Sequence, residues 1–390
     1  MKIEAVDFFY VSMPVVDDIG DGSQDACLVR VRAGGFEGWG ECEAAPLPTI
    51  AAFICPMSHS ACKPVAASVV GQNVESPADI RRINELVRLQ SFDLLQADHT
   101  LSGIDIALWD LLGRQRQAPV WSLLGFTKPT PKVPYASVLF GDSPQQTLAK
   151  GRSAVAQGFR AVKFGWGPYG HKRVEDDAAQ VFAAREGIGS EALLLVDAGT
   201  AFGEDIEAAA LRLPALEQAR ATWLEEPFVA NAFDAYGALA KRCKFVRLAG
   251  GEGSHNAHMA QNLLHHGGVG FVQIDTGRIG GITTAFDVAN MAKAAHVQYV
   301  NHTFTTPLAL SASLQPFAGM KDELCEVPVE ASPLASTLCT TGLNRDAQGH
   351  LLAPNAPGLG LQINLDTVKR YLLDVQIKVG GRVLYETPAL

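Results

Sequence analysis

The sequence predicts an α/β fold: a (β/α) barrel of TIM type preceded by a small α+β domain. Three observations carry that prediction. After residue 129 short apolar runs alternate with helical stretches until eight strands are accounted for. Three of these runs, in LLLVDAG, TWLEEP and FVRLAGGE, each deliver an acid at or just past the end: Asp197, Glu225 and Glu252. Their spacing is close to one βα unit of a barrel in which roughly 250 residues make eight units. Finally, no G-x-G-x-x-G follows the first strand, which disfavours a Rossmann sheet.

In chain order, residues 2–11 alternate as a strand, and 26–33 and 37–40 form two more around Gly34-Gly35, giving a small antiparallel sheet. Pro46–Gly71, with small residues and several prolines, reads as a mobile loop facing the rim, followed by a helix. Ser76–Arg88 is a helix with Ser76 as N-cap and Pro77 at its first position. In 100–125 the residues Leu101, Ile104, Leu108, Leu111 and Leu112 form one helical face, with Asp105 and Asp110 as structural acids. Barrel strands are predicted at 132–138, 159–164, 192–197, 222–225, 245–249, 270–275, 298–302 and 323–327. NAPGLGLQIN then forms a turn and short strand before a polar tail that packs back on the N-terminal domain.

The chain of 390 residues, 47% hydrophobic, can bury a large core. A net charge of −9 and a pI near 5.6, with no Lys/Arg cluster, argue against a nucleic-acid or anionic-membrane surface. The seven cysteines have no metal-ligand spacing and suggest reduced thiols in a cytoplasmic protein. There is no basic leader at the start, and no apolar run long enough for a membrane span.

Parallel strands lying side by side bring their C-terminal ends to one rim, where barrel chemistry is done. The predicted ends carry Lys163, Asp197, Glu225, Glu252, Asp275, His302 and Glu326 in order. Three converging anions repel one another unless a hard cation lies between them, and with no Cys or His in the set that cation is Mg²⁺. An acid after a strand can equally cap the next helix, but three in register weigh against capping. Asp275 beside His302 fixes the imidazole tautomer and makes a general acid/base pair. Of Glu225 and Glu226, one need face the cation, leaving the other to cap or to pair with a Lys or Arg.

SGIDIALWDLLG, the Asp after the third barrel strand, WLEEP, GGE, QIDTGRIGGIT and the His on the next strand together resemble the enolase superfamily, in its mandelate racemase-like branch. The resemblance spans nearly the whole chain. It implies a (β/α)7β barrel over 129–355, an N-terminal capping domain over 1–128, and a C-terminal segment, 356–390, that completes the cap. It also implies that Asp197, Glu225 and Glu252 bind Mg²⁺, that Asp275 and His302 form the family's dyad, and that Glu326 contacts the substrate carboxylate opposite the base. A small-molecule carboxylate substrate and a homo-oligomer are expected with it.

One departure bears on the reaction. Many relatives carry Lys-x-Lys after the second barrel strand, its second Lys being the base on the other substrate face. Here Lys163-Phe164-Gly165 leaves Lys163 as a cation near the substrate carboxylate and no second base. Inversion of a stereocentre ordinarily takes two bases, whereas one histidine suffices for dehydration. Trp166-Gly167-Pro168 with Gly170 resembles a loop of rhamnonate-type acid-sugar dehydratases, placing Trp166 at the substrate. The expectation is therefore a Mg²⁺-dependent sugar-acid dehydratase acting through an enediolate. The alternative is a racemase, epimerase or lactone cycloisomerase using the same intermediate. Specificity is expected from the 12–25 and 46–62 loops and from the rim near Trp166.

Overall fold

An N-terminal sheet and an eight-stranded barrel divide the chain between them in this computed structural model, which describes residues 1–321 and 323–390. Strands β1 (Ile3–Ser12), β2 (Asp25–Ala33) and β3 (Phe36–Cys42) pair antiparallel in sequence order. The Gly34-Gly35 turn between β2 and β3 has positive φ at both residues, the geometry of a tight hairpin. Strand β3 lies directly on the helix Ala97–Arg116, because Gly38 and Gly40 carry no side chain: a Cβ on Gly40 would stand 2.1 Å from the Gly103 carbonyl oxygen.

The barrel strands are β4 (Val133–Leu139), β5 (Ala161–Gly165), β6 (Leu193–Asp197), β7 (Ala221–Glu225), β8 (Arg247–Gly250), β9 (Phe271–Asp275), β10 (Gln298–His302) and β11 (Leu324–Pro328). All pair parallel with their neighbours, and β11 closes back beside β4. Between β10 and β11 a side chain completes the ring. The Asn301 amide donates to the Glu326 carbonyl at 3.3 Å, and its oxygen accepts from the Glu326 N–H at 2.9 Å. Inside, Tyr135, Leu195, Trp223, Phe271 and Val300 pack as one apolar layer.

Two expectations about local structure need correcting. Pro46–Ile54 is a helix rather than a loop, since prolines in a first turn forgo N–H groups that have no partner there, while Ile50 and Phe53 bury themselves in the N-terminal core. The polar tail is also structured: helix Leu365–Tyr371 is followed by the hairpin β12 (Gln376–Val379) and β13 (Arg382–Glu386) around Gly380-Gly381, both at positive φ. Leu359, Val368, Tyr371 and Tyr385 share the core formed by β1–β3 and their helices. Ser76 occupies the N-cap position of Pro77–Gln90, but its hydroxyl donates to Asp79 Oδ2 instead of capping a backbone N–H. Asp105 accepts from Asn84 and from the Thr283 N–H and hydroxyl; Asp110 accepts from the Trp39 and Leu359 N–H groups and from Arg114. Both acids thus join the helix Ala97–Arg116 to distant segments. All seven cysteines are free thiols, and among the described residues no helix is long and apolar enough to cross a membrane.

Candidate functional site

Side chains alternate along a strand, so the residue two beyond an inward apolar one also points inward. Leu195 is followed by Asp197, Trp223 by Glu225, Val300 by His302 and Leu324 by Glu326. The same strands that fill the barrel therefore place a polar ring on its C-terminal rim. Register aligns that ring: Gly165 pairs with Asp197, Asp197 with Glu225, and Asp275 with His302. Glu252 lies two residues past β8, beyond Gly251 at φ 125°, a backbone conformation that favours glycine.

Above the ring is a cavity of about 560 Å³. Lys163, Asp197, Glu252, His302, Glu326 and Trp166 line it from the barrel, and Ile19–Gly22, Glu43 and Ala44 from the N-terminal domain. Of the two segments expected to set specificity, 12–25 contributes to the wall, whereas 46–62 supplies none of the lining residues. Trp166, at φ 55°, is half exposed, with Gly20 and Gly199 close against its indole.

The buried charges form one network. Lys163 Nζ lies 2.7 Å from Glu225 Oε1, 2.7 Å from Glu326 Oε1 and 3.7 Å from Asp197 Oδ2. Burial disfavours the ammonium, but Glu225 and Glu326 outweigh it and hold the Lys163 pKa well above its usual value. Trp223 Nε1 donates to the other Glu225 oxygen at 3.0 Å, and the Thr303 N–H donates to Glu326 Oε2 at 2.8 Å. His302 Nδ1 is 2.7 Å from Asp275 Oδ2, and its Nε2 is 3.0 Å from Glu252 Oε2. The Gly277 N–H donates to the second Asp275 oxygen at 2.7 Å, fixing that carboxylate. Burial opposes charge on His302, but Glu252 and Asp275 prevail, so the imidazolium is favoured well above the ordinary histidine pKa.

The acids feel one another. Burial, with Glu252 nearby, raises Asp197 to about 6 despite Lys163, and burial with Asp197 raises Glu225 to about 8. Glu252 goes the other way: burial would raise it, but His302 and Arg278 hold it low. Glu226 is buried at φ 37°, with Oε1 lacking a hydrogen-bond partner, and burial beside Glu252 and Asp197 drives its pKa far up.

Among the described residues no three His, Cys, Asp or Glu side chains are disposed to hold one metal ion. Glu225 is turned to Lys163 and Glu252 to His302, each carboxylate answering the nearest cation. The donor set nevertheless fits a hard divalent cation: oxygen-only, buried, and with Asp197 raised partly by repulsion from Glu252 and Glu225 partly by repulsion from Asp197.

Three residues that line the cavity lie outside the strand ends: Arg278, Glu43 and Phe304. Arg278 lines the cavity with Nη1 3.6 Å from Glu252 Oε1, and its Nε donates to Glu43 Oε2. The Glu43 N–H donates to the Gly277 carbonyl at 3.2 Å and the Glu43 carbonyl meets His99 Nε2, so a carboxylate from the N-terminal domain is seated in the barrel rim. Arg278 lies within QIDTGRIGGIT, but nothing in that string names a partner more than two hundred residues upstream in Glu43. Phe304 packs edge-on to the His302 ring at 4.9 Å and touches the 12–25 loop at Gly22.

Comparison with known proteins agrees with this architecture. Residues 13–125 match the mandelate racemase/muconate lactonizing enzyme N-terminal domain family, and 146–367 the enolase C-terminal domain-like family. A D-galactonate dehydratase of Xanthomonas campestris pv. campestris is 32% identical over 69% of this chain and 72% of its own. A D-galactarolactone cycloisomerase of Agrobacterium fabrum is 30% identical over 70% and 73%. A crystal structure from Rhodobacter sphaeroides, described as a predicted mandelate racemase, superposes with TM-score 0.96 at 57% identity over the full length of both chains.

Proposed function

The chain belongs to the enolase superfamily, in its mandelate racemase/muconate lactonizing enzyme branch, and on that premise we propose that it is a Mg²⁺-dependent sugar-acid dehydratase, a carbon–oxygen lyase yielding a 2-keto-3-deoxy acid. Asp197, Glu225 and Glu252 would hold Mg²⁺, which when bound supplies positive charge that lowers the energy of an enediolate. His302 Nε2, once it sheds the proton its acid neighbours favour, takes the proton from the carbon next to the substrate carboxylate. Asp275 holds the ring in the tautomer that leaves Nε2 free to do so. The same nitrogen returns the proton to the β-hydroxyl, which leaves as water, and the resulting enol ketonises. Lys163 and Glu326 polarise the carboxylate, and Trp166 packs on the substrate.

The observation that carries elimination over inversion is at Gly165. A Cβ there would stand 2.7 Å from Asp197 Oδ2, so the position of the second base has no room for a side chain while Asp197 keeps its place. Dehydratase names among relatives 32% identical support the same reading. Cycloisomerisation is the second reading, supported by the Agrobacterium relative. We extend the proposal to a cytoplasmic homo-oligomer, the free thiols suiting a reducing compartment.

The test is to incubate the Mg²⁺-loaded enzyme with a library of aldonates and aldarates and trap 2-keto products with semicarbazide. His302→Asn should lower kcat by about 10³-fold while the thermal midpoint is retained. Exchange of the α-proton in D₂O without loss of water would favour the second reading, and unchanged turnover in the Asn variant would overturn both.

A further inference from the structure

The cavity continues past the reacting centre along the β4–β11 flank, where Ser137, Leu139, Pro328, Glu330 and Lys150 line it. Lys150, on the helix Pro144–Ala156, lies with Nζ 2.9 Å from Glu330 Oε1 and 3.3 Å from Oε2. The Leu139 N–H at the end of β4 donates to Glu330 Oε2 at 3.2 Å, so the carboxylate is anchored to a barrel strand. The two side chains are 31% and 42% exposed. Ion pairs this open contribute little to stability, so holding the fold together does not account for one placed on a cavity wall.

The charges along the wall limit what can bind there. Each Lys and Arg lining the cavity already faces a carboxylate: Lys163 faces Glu225 and Glu326, Arg278 faces Glu43 and Glu252, and Lys150 faces Glu330. The substrate's reacting carboxylate belongs beside Lys163, where the divalent cation that Asp197, Glu225 and Glu252 would hold offsets its charge. A second carboxylate at the other end of the molecule would meet no uncommitted cation, and Glu330 and Asp21 are both in the wall. A hydroxyl tail meets what it needs, since each OH both donates and accepts. Lys150 has a third N–H to give, and Glu330 Oε1 has lone pairs to spare.

We infer that the Lys150–Glu330 pair is the subsite for the hydroxylated end of the substrate, and that the enzyme takes aldonates, with one carboxylate and a neutral polyol tail, in preference to aldarates. This rests on the reading that a sugar acid fills the cavity. The experiment compares D-gluconate with D-glucarate and D-galactonate with galactarate, by turnover and by calorimetric titration of the Mg²⁺-loaded enzyme. The wild type should bind and turn over the aldonate of a pair better. Glu330→Gln leaves Lys150 without its counter-charge and should improve relative aldarate affinity about fivefold; Lys150→Met should weaken aldonate binding by a similar factor. Wild-type binding of aldarates as tight as aldonates, or equal loss of both acids in Glu330→Gln, would overturn the subsite. Aldonate-selective binding without turnover would sink the dehydratase reading and leave the subsite standing, and binding of neither acid would sink both.

Discussion

The barrel rim and the 12–25 loop wall the same cavity and are built on opposite principles. On the rim Lys163, Glu225, His302 and Glu326 are at most 3% exposed and each is held by two or more partners. In the loop Val15, Val16 and Ile19 are 71%, 59% and 57% exposed; it meets the barrel half through Gly20 on Trp166, Gly22 on Phe304 and buried Ser23, whose hydroxyl accepts from the Ser332 N–H at 2.7 Å and whose carbonyl accepts from the Ser332 hydroxyl. The rim groups are preorganised by buried charge and strand register, whereas the loop is pinned at Ser23 and leaves Val15, Val16 and Ile19 to solvent.

The largest effect should come from removing the cation at the centre of the rim. Lys163→Met leaves Glu225 and Glu326 buried without their counter-charge and should cost about 3–5 kcal/mol in denaturant unfolding. Lys150→Met, at the exposed pair, should cost about 0–1 kcal/mol. Equal losses would break the distinction between buried and open pairs.

Glu41 sharpens the comparison at the seam between the two halves. It accepts from the Thr306 hydroxyl, and burial raises its pKa from 4.5 to about 7, partly offset by Thr306 and Thr305. The folded state therefore holds this proton more tightly than the unfolded chain. That stabilisation is full below pH 4.5 and is lost as pH rises through about 7. Across this window the stability of Glu41→Gln relative to wild type should rise by about 3 kcal/mol at most. Parallel pH profiles for the two proteins would refute it.

The smallest expected effect is in the loop. A Cβ on Gly22 would stand 2.0 Å from the Phe304 ring, which packs on His302. Gly22→Ala should lift the loop and raise KM severalfold, with unfolding free energy changed by no more than about 0.5 kcal/mol. A loss of stability comparable to that of Lys163→Met would show the loop to be structural.

Much of this was legible because barrel strands announce themselves. Apolar runs end in charged residues, and each strand lies within about two residues of its predicted range, since inward alternation and rim position are both written in one dimension. The helix at Pro46 and the C-terminal hairpin were misread for different reasons. Prolines at 46 and 48 resemble breakers although a first turn tolerates them, and Gly380-Gly381 lies in a stretch too polar to show an apolar face.

By itself the sequence determined the order of charged groups around the rim, since period-two strands and repeated βα units leave little freedom about which residues reach it. Only the tertiary structure decided what each of those groups touches. That Glu43 crosses from the N-terminal domain to Arg278, that the Asn301 side chain closes the barrel seam at Glu326, and that Gly165 is the space Asp197 fills are all contacts between segments distant in the chain. Such contacts depend on how packed elements meet in three dimensions, and neither propensity nor spacing along one strand encodes them.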